Sequence, residues 1–192
     1  MPTPPKGADL PDPTEHHEAL QAPWRMEYLE DPAGEALAPS KPGGSFLARY
    51  WDDPSSDLAN HVVHRSQSGM LLLNRYPYAS GHLLVAMGEA RPTLLDYDPD
   101  QRAALWELVE LGVALVQRAL RPQGVNIGIN QGRASGAGVP EHLHAHVVPR
   151  WSGDTNFMQV VGRVRVLPAT LEMIAQRYRQ TLQMMIGPSA SP

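Results

Sequence analysis

From Glu141 to Arg150 the chain reads Glu-His-Leu-His-Ala-His-Val-Val-Pro-Arg, with a histidine at every second position from 142 to 146. A period of two is the period of a β-strand, whose successive side chains point to opposite faces. The spacing predicts a strand with His142, His144 and His146 on one face. Leu143, Ala145 and Val147 then line the other face, against a core. Three imidazoles side by side compete for protons, solvent and space, which suits metal binding or catalysis better than packing. On pattern alone three readings stand open. The rings could ligate a metal, one could be a nucleophile flanked by helpers, or all three could form a polar solvent face.

The surrounding chain predicts the elements that would carry such a strand. Residues 1–44 read as an N-terminal arm and linker, rich in Pro, Asp, Glu and His at first and in Pro and Gly towards the end. Residues 45–192 read as one domain with a C-terminal helix. Phe46 to Trp51 predicts a short helix. Val62–Arg65 and Met70–Asn74, separated by Ser66-Gln67-Ser68-Gly69, predict a hairpin. His82 opens a third strand after Gly81. Asp98-Pro99 is a helix start, followed by Leu105, Leu108, Gly112, Leu115, Val116 and Ala119 at helical spacing, with an end near Arg121-Pro122. Val125–Asn130 alternates as a fourth strand, and the histidine run is the fifth. Leu167, Leu171, Ile174, Tyr178, Leu182 and Met185 define a last amphipathic helix. Neighbouring antiparallel strands with segregated helices make this an α+β fold.

Composition narrows the function. The chain has no cysteine, so disulfides, cysteine-held zinc and thiol catalysis are excluded. A formal net charge of −4 gives no global attraction to nucleic acid or anionic membranes. With no signal-like N-terminus and no apolar run long enough for a bilayer, the expected location is cytoplasmic. The loop Asn130-Gln131-Gly132-Arg133-Ala134-Ser135-Gly136-Ala137-Gly138 reads either as a flexible connection or as a phosphate cradle, since glycines let backbone N–H groups approach a ligand. Its position just before the histidines favours the cradle.

His142-Leu143-His144-Ala145-His146-Val147-Val148 resembles the signature of the histidine-triad (HIT) family, in which three histidines alternate with apolar residues. The segment from Leu73 through Asn74 and His82 to Val85 resembles the family's upstream strand–turn–strand. The run through Pro149-Arg150-Trp151 to Phe157 looks like the branch of diadenosine tetraphosphate phosphorylases and related dinucleoside polyphosphate hydrolases. The resemblance implies a five-stranded antiparallel sheet and a homodimer.

It also implies a mechanism. His144 would attack the α-phosphorus of a nucleotide, forming a nucleotidyl-histidine that phosphate or water then resolves. His142 and His82 would contact phosphate oxygens, and His146 would orient His144 or fix its tautomer. Asn74 would sit near the ribose, and Asn130, Ser135 and Gly136 would hold phosphates. Glu141 and Asn126 would help an incoming phosphate, and Trp151 would face the substrate. Simpler uses compete: Asn74 as a turn cap, His82 as a surface histidine, Trp151 as core. No protein-bound metal is required, although Mg could accompany the nucleotide. Gly138 stands where many family hydrolases carry a hydrogen-bonding side chain, which favours the phosphorylase-like branch. The competing classes are a nucleotide-binding regulatory protein of low turnover and a three-histidine metal protein.

Overall fold

Two apolar runs, Met70–Leu73 and Leu83–Met87, are buried along their whole length, so both faces of the strands they form must be covered. A computed structural model describes residues 44–154 and 169–187. In it β1 (Val62–Arg65), β2 (Gly69–Leu73), β3 (Leu83–Met87), β4 (Gly124–Ile129) and β5 (His144–Arg150) form one antiparallel sheet in the order β1-β2-β3-β5-β4. The expected α+β architecture is present. Residues 1–43 of the arm expected over 1–44, Leu167 of the last helix, and Thr155, Asn156 and Phe157 lie outside the described residues.

Three α-helices accompany the sheet: α1 (Phe46–Asp52), α2 (Pro99–Leu120) and α3 (Leu171–Ile186). The start of α2 is set by a reciprocal cap. The Asp98 carboxylate accepts from the Gln101 N–H, and the Gln101 side chain accepts from the Asp98 N–H. Its end is Arg121, in the left-handed region with φ 49°, followed by a proline that cannot continue the helix. Thr170 caps α3 by accepting from the Met173 N–H.

The register divides the sheet into two chemically different faces. Leu83 and Val85 pair with Val147 and Ala145, and this face packs with Leu71 and Leu73 against the buried stripes of α2 and α3. Leu84 and Ala86 pair with His146 and His144. That second face carries Met70 and Leu72 and is covered by Leu47 of α1, with Phe46, Tyr50 and Trp51 alongside. Each buried aliphatic side chain contributes about 1.5–3 kcal/mol of transfer free energy. The first face therefore supplies most of the stability, because it holds most of the core. Among the described residues no helix is long and apolar enough to cross a membrane.

Helix α1 has only seven residues, too few to persist by itself. Contacts at both ends hold it. At the C-terminal end Arg65 donates to the carbonyls of Tyr50 and Trp51 and forms a two-pronged pair with Asp57. The Trp51 ring lies against Gly88, where an added Cβ would sit 2.2 Å from the ring. At the N-terminal end Ser45 accepts from the Ala48 N–H, a standard cap.

Candidate active site

His144 and His146 stand where the alternation puts them, on the α1 face of β5. His142 does not continue the strand. It lies in a bend, because its own N–H goes to Val139 and the Leu143 N–H goes to the Arg91 carbonyl. The carbonyl that ends β3, Met87, is taken by the His142 ring instead, through Nε2 at 2.8 Å. The expectation of three rings on one strand face is thus corrected to two rings on the strand and one in the bend before it.

Each ring's tautomer follows from its partners. A carbonyl only accepts, so His142 carries its proton on Nε2, facing Met87. Its Nδ1 then accepts from the Ser45 hydroxyl at 2.7 Å. The His144 Nδ1–H donates to the His142 carbonyl at 2.9 Å, so the lone pair of His144 is on Nε2. His82 Nδ1 accepts from the Tyr78 backbone N–H at 3.1 Å, with the Asn74 amide 3.3 Å away. His82 Nε2–H therefore donates to His146 Nδ1 at 2.9 Å, and the remaining proton of His146 sits on Nε2. The resemblance implied phosphate contacts for His142 and His82 and an orienting role for His146. In this geometry both nitrogens of His142 and of His82 face protein groups, and a backbone carbonyl fixes the His144 tautomer.

Burial keeps the triad neutral. Loss of solvent lowers the basicity of His142 and His144, against smaller opposing effects from their backbone bonds and from Glu141. Burial, with His144 beside it, lowers His146 to about 4. A neutral His144 has a lone pair to give, and a neutral His146 still has one N–H to donate.

The ring of Tyr78 stacks on His146 at 5.7 Å and tilts over His82 at 4.7 Å. Its place against these two rings was not evident in the sequence. Gly81 brings His82 to its buried place. It has φ +87°, and a Cβ there would meet Tyr178 Oη at 2.6 Å and Leu120 Cδ1 at 2.3 Å. The Tyr178 hydroxyl donates to the Gly81 carbonyl at 2.6 Å. Ser45, Tyr78 and Tyr178 are the supports that sequence reasoning missed. The one local signal for Ser45 is a cap residue before an apolar run.

The other expected site residues fall at varied distances. Asn74 Oδ1 accepts from the Tyr76 N–H, so the side chain both builds the turn and reaches His82. Asn130 follows the Ile129–Ala145 pair and lies level with His144. Ser135 donates to the Gly132 carbonyl within a short 3-10 turn that Gly136 ends at φ 85°. Glu141 directly precedes His142. Asn126 pairs with Val148, on the histidine face, and its oxygen accepts from Arg150. Trp151 follows the opposite end of β5, seven residues from His144 and so roughly 23 Å away along an extended chain. It stands past the end of β5 away from His144. A three-histidine metal site does not fit these bonds. Among the described residues no group of three or more His, Cys, Asp or Glu is arranged to hold a metal.

Comparison with known proteins points to one family. The HIT domain family model matches residues 56–153. An AP-4-A phosphorylase of Mycobacterium tuberculosis is 35% identical over 159 residues, covering 79% of this chain and 77% of that protein. A bis(5'-nucleosyl)-tetraphosphatase (asymmetrical) of Schizosaccharomyces pombe is 30% identical over 97 residues, 50% of this chain and 53% of that protein. Among solved structures, a Zn-bound histidine triad family protein from Mycobacterium smegmatis superposes with TM-score 0.57 at 27% identity, over 74% of this chain and 98% of that one.

Proposed function

The chain belongs to the HIT domain family, and from that premise we propose that it is a nucleotidyl transferase or hydrolase acting on adenine dinucleoside polyphosphates such as diadenosine tetraphosphate. The observation that carries the reading is the bond from His144 Nδ1–H to the His142 carbonyl, which leaves Nε2 as a neutral nucleophilic nitrogen. Its lone pair attacks the α-phosphorus, an N–P bond forms, and the bridging P–O bond breaks with its electrons leaving on the nucleoside polyphosphate. The His146 Nε2–H donates to a non-bridging oxygen as charge gathers there. His82 acts behind His146, and Asn74 behind His82. Asn130, Ser135 and Gly136 hold the remaining phosphates.

An acceptor then attacks the same phosphorus and releases His144. The 35% identity to a protein named as a phosphorylase favours inorganic phosphate, as does a glycine at 138. Glu141 and Asn126 serve that acceptor. In this reading two copies pair, and Trp151 faces a substrate through that pairing. β4 is an edge strand on which Ile127 is exposed.

The deciding experiment is product analysis of diadenosine tetraphosphate with and without inorganic phosphate. Phosphate-dependent ADP plus ATP is the expected result. AMP plus ATP would make water the acceptor. No product, and no nucleotide trapped on His144, would leave a binding protein.

A further inference from the structure

Ser45 is buried, at 3% exposure, and its hydroxyl has two partners at once. It accepts from the Ala48 N–H at 3.0 Å and donates to His142 Nδ1 at 2.7 Å, across 97 residues of sequence. The chain's entry to this position is fixed as well. Gly44 takes φ +77°, and its carbonyl accepts from the Arg49 guanidinium at 2.8 Å. One hydroxyl thus joins the first turn of α1 to the ring whose backbone carbonyl holds His144.

We propose that Ser45 is a positioning residue for nucleotidyl transfer: by locking the His142 ring between itself and Met87, it fixes the carbonyl that keeps His144 in its Nδ1–H tautomer. This rests on the reading of His144 as nucleophile. His142 lies in the bend that leads into β5, two residues before the strand begins at His144. A rotation of that ring would release its hold on Met87 and let the peptide before His144 turn. A carbonyl displaced by a fraction of an ångström no longer dictates which nitrogen of His144 bears the proton. Capping alone does not demand serine. Aspartate caps as well, but a carboxylate has no proton to give. With Nε2–H already committed to Met87, an aspartate would draw a second proton onto Nδ1 and turn His142 into an imidazolium. The charged and titratable groups that act on that ring are His144 and Glu141. The serine hydroxyl therefore does two jobs that aspartate can only half fill.

The test uses the full chain carrying S45D, S45T and, as a control, H144A. S45D should remain folded at the assay temperature, because the cap survives, while kcat for diadenosine tetraphosphate falls about 10- to 100-fold with KM less affected. S45T, which keeps both bonds, should stay within about threefold of wild type. Nitrogen-15 spectra of the histidines read the arrangement without substrate: His142 Nδ1 should be unprotonated in the wild type and protonated in S45D. Wild-type kcat in S45D, or an unchanged His142 spectrum, overturns the inference. If H144A retains activity, the nucleophile reading fails instead. If H144A is dead while S45D turns over normally, only the role of Ser45 fails.

Discussion

Two histidines on one strand are prepared by different routes. His144 is set by a backbone carbonyl two residues upstream, whereas His146 is set by a side-chain relay that starts in the turn before β3 and passes through His82. The first route is short, and its direct partner does not depend on side-chain identity. The second crosses to another strand and depends on every ring in it. A nucleophile held by the main chain feels a side-chain change only when that change moves the carbonyl holding it. A donor held by a relay transmits each change to its last N–H.

Removing His144 should separate the two routes most sharply. His144→Ala takes away the attacking atom, and turnover should fall at least about 10⁴-fold with circular dichroism unchanged. Steady-state kinetics at saturating substrate would show it, and residual turnover near wild type would refute the assignment. His146→Ala removes one donor to the developing charge and should cost about 10²- to 10³-fold in kcat. The relay then makes a stricter demand. His82→Ala should cost a similar factor, and the double variant should be no worse than the poorer single, because both sever one path. Independent, multiplying losses would mean that His82 touches substrate by itself.

Smaller effects test the supports. Tyr178→Phe removes a buried hydroxyl donor and leaves the Gly81 carbonyl unpaired, at about 1–3 kcal/mol of stability. Urea unfolding would measure it, and the loss in kcat should be limited to a few-fold. Acidity should act on stability through a buried ring. His146 titrates near 4 in the fold but near 6.5 when unfolded, so the unfolded chain binds more protons between those values. Its contribution to stability is complete above about pH 6.5 and declines as the pH falls towards 4. The urea midpoint should therefore drop between pH 7 and pH 4.5, less steeply in His146→Gln. A slope that is the same in both proteins would place the acid sensitivity elsewhere.

Much of this was legible in the chain because it is local. The period of two put His144 and His146 on one face and Ala145 and Val147 in the core. Asp98-Pro99 and Arg121-Pro122 bounded α2 to the residue. The bend at His142 was not legible, because it depends on Met87 and Ser45, which reach that ring only once the sheet and α1 have assembled. The same holds for His82, whose place depends on a tyrosine 97 residues away from Gly81. Asn74 caps the turn that presents His82, as the simpler reading of that residue has it. Trp151 shows the opposite relation: close to the triad in sequence, it follows the far end of an extended strand.

The Tyr178–Gly81 bond bears on where this protein can be cut. The segment shared with the family ends at residue 153 and begins at residue 56. A piece trimmed to those limits would retain all four site histidines and Asn74. It would lose Ser45 and α1 at one end and Tyr178 at the other. Its sequence signature would be whole, but one of the two partners of the His142 ring and the hydroxyl that holds Gly81 beside His82 would be gone, so the smallest unit that can be recognised is smaller than the unit that holds these rings as described.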